Sequence, residues 1–119
     1  TMSIPDEALR KVLVELQNRL IENSRQLVTV KTQIQMKERE KRLAELTKKE
    51  LSELEKDTKT YKSVGKAFIK ADLSVLSKEM DDKVKKAESD LETLDKSRKY
   101  IERNISDSQN GLREIVGRP

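Results

Sequence analysis

Two stretches of the chain carry apolar residues at alternating intervals of four and three, which is the spacing of a coiled-coil seam. Neither stretch contains an internal proline, so each predicts one long helix, over residues 7–46 and 73–116. The first seam consists of Leu9, Leu13, Leu16, Leu20, Asn23, Leu27, Val30, Ile34, Lys37 and Lys41. The second consists of Met80, Val84, Ala87, Leu91, Leu94, Arg98, Ile101, Ile105, Ser108, Leu112 and Ile115.

The pattern changes twice between the two seams. Thr47 followed by Glu50 forms a capping box, which predicts a short helix over residues 47–56. Residues 60–71 then resemble two strands joined by Gly65-Lys66, a two-residue loop that suits a type II′ turn. A lone hairpin is marginally stable in water and has two unpaired edges. We therefore expect its apolar side chains to be covered by other chains.

The two seams can be aligned antiparallel in either of two registers that differ by one heptad. The first register places Asn23 opposite Arg98, and the second places Arg98 against Val30. Burying an unpaired guanidinium against valine is costly, so the sequence favours the first register. The predicted fold is a mostly α, single domain over residues 1–119. It is a long antiparallel two-helix coiled coil with the short helix and one β-hairpin at its closed end.

Composition supports this architecture and excludes several functions. Of the 119 residues, 40% are charged and 3% are aromatic, which is too little bulky apolar material for an ordinary globular core. The 26 basic and 22 acidic residues are interspersed, without the one-sign surface that nucleic-acid binding requires. No run of about 20 apolar residues predicts a membrane span. Cysteine and histidine are absent, which removes Cys-based metal sites and the commonest general base. We expect no catalytic residue, no cofactor, no metal site and a cytoplasmic location.

Three short segments give the chain a family resemblance. They are LTKKEL at residues 46–51, VGKAFI at residues 64–69 and KYIER at residues 99–103. Their order, with a single hairpin between two coils, resembles the β-class subunits of prefoldin over roughly residues 7–116. The VGKAFI segment carries most of the specificity, because any heptad repeat would match the coiled-coil parts.

The resemblance implies a heterohexameric chaperone that uses no nucleotide. Its partners would be two α-class and other β-class prefoldin subunits, whose hairpins join into β-barrels. The coiled-coil tips would capture unfolded polypeptides, notably actin and tubulin, and deliver them to the cytosolic chaperonin. The rival hypothesis is a structural coiled-coil adaptor whose hairpin docks another partner protein.

Two sets of candidate site residues follow. The expected assembly residues of the hairpin are Tyr61, Val64, Gly65, Phe68 and Ile69. The expected client-binding residues at the tips are Ile4, Leu9, Val12, Leu13, Leu112, Ile115 and Val116. Four of the tip residues occupy seam positions, so packing between the helices is the alternative role for them.

Overall fold

The computed structural model describes residues 6–57 and 63–117, which form two α-helices. Helix α1 spans Asp6–Asp57 and helix α2 spans Ser63–Val116. Two acidic residues lie in the first turn of α1, where carboxylates interact favourably with the helix dipole. Gly117 follows α2, and its amide donates to the Arg113 carbonyl oxygen at 2.7 Å. The predicted start of the first long helix and the predicted end of the second are therefore confirmed.

The predicted start of a short helix at Thr47 is wrong, because α1 continues through this residue to Asp57. The Thr47 hydroxyl donates to the Leu43 carbonyl oxygen at 2.8 Å. A threonine inside a helix makes this bond, whereas a capping threonine accepts from an amide in the next turn. Lysine, leucine and glutamate surround Thr47, and these good helix formers give the chain no reason to break there.

The predicted hairpin is not formed in the described part of the chain. Residues 63–71 are helical and belong to the first turns of α2, whereas the expected strand residues before Ser63 lie outside the described ranges. None of the glycines, Gly65 included, has the positive φ that a type II′ turn requires. A helix satisfies its backbone hydrogen bonds within itself, whereas a two-stranded ribbon in a single chain has no further strand to pair with. The single chain therefore favours the helix.

The contacts divide the chain into two compact units, each of which contains part of both helices. The first unit extends to Gln33 and resumes at Leu94, and the second comprises Ile34–Thr93. Every predicted seam residue on both helices is buried or partly buried, so the prediction of both seams is confirmed. The most deeply buried apolar residues are Val30 and Ile101 in the first unit, and Ala44, Leu73 and Ala87 in the second.

In the first unit, the helices pair in the register that the sequence disfavours. Gly111 lies beside Leu16, because a Cβ atom built at Gly111 would be 3.3 Å from Leu16 Cδ1. The register favoured by the sequence would instead place Ile105 opposite Leu16. Val30 lines one hollow together with Ser97 and Ile101, which lie on either side of Arg98 in the sequence. The preference for pairing Asn23 with Arg98 is therefore wrong, and the alternative register, one heptad away, is correct.

The guanidinium of Arg98 explains why the penalty assumed for this register does not arise. Arg98 Nη2 donates to Asp95 Oδ1 at 2.7 Å, and Nη1 donates to Glu102 Oε1 at 3.1 Å. The side chain is 31% exposed, so the charged end is neutralised by its own helix and reaches solvent. An arginine can bury its aliphatic stem against the seam while its charged head remains solvated.

The second unit shows the same register through ion pairs between the helices. Lys48 Nζ lies 2.6 Å from Asp81 Oδ1. Lys37 lies 3.3 Å from Asp90, and Lys41 lies 3.5 Å from Glu88. Partly exposed pairs of this kind contribute little to stability. Lys37 and Lys41 occupy seam positions, and these ion pairs hold their ammonium groups beside carboxylates of α2. Lysine can therefore occupy the seam of α1.

The register can be tested by crosslinking, because the chain contains no native cysteine. We expect cysteines introduced at Leu16 and Gly111 to be joined efficiently by a short bismaleimide. Cysteines introduced at Asn23 and Arg98 should be joined poorly, because these positions are about one heptad out of alignment. Mass spectrometry of the digested products measures both yields. More efficient crosslinking of the second pair would contradict the observed register.

Candidate protein-binding surfaces

The predicted tip residues fall into two groups in the first unit. Leu9, Leu13, Leu112 and Ile115 occupy seam positions and are partly buried. Val12 and Val116 are exposed, Val116 to 76%. Ile4 lies outside the described residues. The structure therefore leaves the off-seam valines more accessible to another protein than the partly buried seam residues.

The sequence analysis missed a column of exposed apolar residues on the outer surface of α1. Val14, Ile21 and Val28 are all more than half exposed and recur at every seventh residue. We call these three residues the outer column. Charged side chains flank it, including the Arg19–Glu15 pair at 2.7 Å. The seven-residue spacing of the column in the sequence was the signal that could have revealed it.

The predicted assembly segment exposes the ring of Phe68 to solvent. Phe68 is 71% exposed, Ile69 is partly buried, and a Cβ atom at Gly65 would have no neighbour within 4 Å. Tyr61 lies outside the described residues, and Val64 belongs to the first turn of α2. A phenylalanine exposed to this extent, with an open glycine one turn before it, leaves an apolar surface available to other chains.

The pKa shifts at the described residues arise from ion pairs that hold helical side chains together. The Arg98 guanidinium, followed by Lys99, holds the pKa of the Asp95 carboxyl below its usual range. Hydrogen bonds from Lys37 to Glu40 and Asp90 raise the pKa of that ammonium group. Both shifts stabilise the ionised forms that these groups already have at neutral pH. They therefore indicate structural ion pairs and not a group prepared for proton transfer.

The described residues contain neither a metal-binding cluster nor a membrane-spanning helix. Among residues 6–57 and 63–117, no cluster of histidine, cysteine, aspartate or glutamate has an arrangement that could hold a metal ion. No helix in those ranges combines the length and the apolar character needed to cross a membrane. The exposed apolar surfaces described above suit contacts with proteins.

Comparison with known proteins identifies the family. The family model described as prefoldin subunit matches residues 14–118, which is most of the chain. The chain belongs to the prefoldin family. Prefoldin subunit 1 of Arabidopsis thaliana is 36% identical over 111 residues, covering 93% of this chain and 87% of the relative. Probable prefoldin subunit 1 of Dictyostelium discoideum is 35% identical over 107 residues, covering 90% and 93%. Prefoldin subunit 1 of Homo sapiens is 29% identical over 111 residues, covering 93% and 91%.

The search of solved structures gave no match for this chain. The match to the prefoldin family nevertheless covers α2 and most of α1, including the outer column and the segment around Phe68. The resemblance inferred from the VGKAFI segment is therefore confirmed at the level of the family and of its subunit 1 relatives.

Proposed function

We propose that this prefoldin chain is one subunit of a heterohexameric co-chaperone that works in the cytosol without ATP or any cofactor. It captures unfolded polypeptides such as actin and tubulin and delivers them to the cytosolic chaperonin, and it acts by binding alone. The observation that carries the proposal is the family match along nearly the whole chain. Its partners are two α-class and other β-class prefoldin subunits.

Assembly is proposed to use the segment that contains Gly65, Phe68 and Ile69, together with Tyr61 and Val64. The exposed ring of Phe68 supports this assignment, because burying an aromatic side chain is a large favourable contribution to association. Residues 60–71 form the hairpin only when partner strands pair with its edges. The helical conformation of residues 63–71 in the single chain is then their unassembled state.

Reconstitution tests the proposed function. The chain is mixed with its α-class and β-class prefoldin partners, and the products are measured by native mass spectrometry. We expect a defined six-chain particle that contains this subunit. A stable homodimer that ignores those partners would instead support the structural adaptor.

Client capture is proposed to involve the end of the first unit where α1 begins and α2 ends. The seam residues Leu9, Leu13, Leu112 and Ile115 would shape this end, and Ile4 would extend it. The exposed valines Val12, Val14 and Val116 would contact the client directly. Several weak apolar contacts on one particle raise the effective concentration of binding sites, so each contact can be weak and unselective.

Replacing Val12, Val14 and Val116 with serine is expected to weaken client binding by this subunit by about tenfold or more, because three apolar contacts are lost. Assembly of the hexamer should be unaffected. Suppression of aggregation of denatured actin, followed by light scattering, measures the effect in the reconstituted particle.

The control for this experiment replaces Met36, Leu46 and Val75 with serine, since these exposed apolar residues belong to the second unit. Equal losses in the two triple variants would show that the tip is not the client surface of this subunit.

A further inference from the structure

Two buried alanines of the second unit, one on each helix, line a groove along one side of the paired helices. Ala44 on α1 and Ala87 on α2 are the most deeply buried apolar residues of their helices, at 4% and 3% exposure. Neither side chain is long enough to fill the space beside the seam. The resulting groove has a volume of about 560 Å³, which lies within the range of protein binding sites.

The groove is lined by apolar side chains together with three lysines and two carboxylates, so its margin carries an excess of positive charge. Leu43 and Met80 line the floor beside the two alanines, and Leu43 is 57% exposed. The carboxylates of Glu40 and Asp90, which also line the groove, are both bonded to Lys37, at 3.2 and 3.3 Å.

Two further lysines of the lining, Lys83 and Lys86, have no ion-pair partner among the described residues. They are three residues apart on α2, so they project from the same side of that helix. The three lysines and two carboxylates of the lining leave one positive charge in excess, and Lys83 and Lys86 hold their ammonium groups beside exposed apolar surface.

From this geometry we propose that the groove binds an acidic amphipathic helical segment of a partner protein. One apolar side chain of the segment packs between Leu43 and Met80, in the space that Ala44 and Ala87 leave open. Two of its carboxylates pair with Lys83 and Lys86. The lining extends from Met80 to Asp90, which at about 1.5 Å per residue accommodates roughly three turns of a docked helix.

Nucleic acid fits this groove poorly. No aromatic side chain lines it to stack on bases. The charge pattern matches a segment whose carboxylates are spaced along one side, between apolar residues.

The test uses the full chain and a fluorescein-labelled synthetic peptide of about four helical turns that carries leucine and glutamate on one face. A matched peptide has lysine in place of each glutamate. Fluorescence anisotropy should show saturable binding of the acidic peptide, at least about tenfold tighter than binding of the basic one, and this binding should weaken with added salt.

The decisive variant combines Lys83→Glu with Lys86→Glu, and the matched control combines Lys78→Glu with Lys85→Glu. Both change the net charge equally, but only the first alters the groove. We expect about a tenfold or greater loss of affinity in the first variant and little change in the control. Leu43→Ser should also weaken binding, and because Leu43 is exposed this substitution leaves the fold intact.

Three results would overturn the proposal. The acidic and basic peptides could bind alike, or the groove and control variants could lose affinity equally. Alternatively, analytical ultracentrifugation could show that the chain dimerises, that Lys83→Glu with Lys86→Glu abolishes the dimer, and that the peptide does not compete. The occupant of the groove would then be a second copy of this chain.

Discussion

Replacing Phe68 with aspartate is expected to abolish incorporation of the chain into the proposed prefoldin hexamer. Phe68 is 71% exposed in the single chain, so the substitution removes little internal packing. In the assembled particle the same position is proposed to lie in an apolar contact between subunits. A carboxylate buried there without a partner would cost several kcal/mol, which is enough to prevent association. Native mass spectrometry of the reconstitution mixture measures the fraction of particles that contain the variant.

The matched control is Tyr100→Asp. Tyr100 is also an exposed aromatic residue of α2, at 67%, but it belongs to the first unit. We expect this variant to assemble normally, and we expect far-UV circular dichroism to show equal helix content in both variants. If Phe68→Asp assembles as well as Tyr100→Asp does, then the segment around Phe68 is not the assembly surface.

Truncating Ile101 to alanine is expected to lower the free energy of unfolding by about 2–5 kcal/mol. Ile101 is 5% exposed and lies in the seam of the first unit, where it lines the same hollow as Val30. The substitution removes buried methylene and methyl groups and enlarges the hollow, so both the transfer and the cavity contributions oppose folding. This loss is a large fraction of the 5–15 kcal/mol that stabilises a typical domain. Urea denaturation followed by far-UV circular dichroism measures the change.

Ile21→Ala is the control, since the same atoms are removed from a position in the outer column that is 59% exposed. We expect a change within about 0.5 kcal/mol, as for most surface substitutions. Similar effects at Ile21 and Ile101 would mean that the outer column is buried against another surface in solution.

The two seams were predictable from sequence because the burial of a helical residue in a coiled coil depends on its place in the heptad. Leucine and isoleucine at alternating intervals of four and three must face the partner helix, and even the polar members of the seams, Asn23 and Ser108, are partly or fully buried. The register was not predictable by the same reasoning. A shift of one heptad preserves every spacing, so the choice depended on the cost assigned to Arg98. That cost was overestimated, because Asp95 and Glu102 pair with the guanidinium from within α2.

The VGKAFI segment around Phe68 was recognisable in the sequence as the part of the chain most specific to the prefoldin family. The conformation predicted for it was nevertheless wrong for the single chain. Strand-like residues and a glycine at the turn are local signals, but a two-stranded ribbon acquires stability only from neighbours that are not part of this chain. The groove beside Ala44 and Ala87 was invisible in sequence for a related reason. It exists because these two residues, far apart in the chain, lie in the same part of the second unit.

The sequence by itself determined that there are two long helices, which of their faces are buried, and to which family the chain belongs. These properties follow from the heptad periodicity and from a short local motif. Only the tertiary structure decided the register, the continuity of α1 through Thr47, the helical state of residues 63–71 and the presence of the groove. The register and the groove depend on which distant residues meet, which the order of residues along one helix does not reveal. Residues 47 and 63–71 are helical because a helix satisfies its backbone hydrogen bonds within itself, whereas a lone two-stranded ribbon does not.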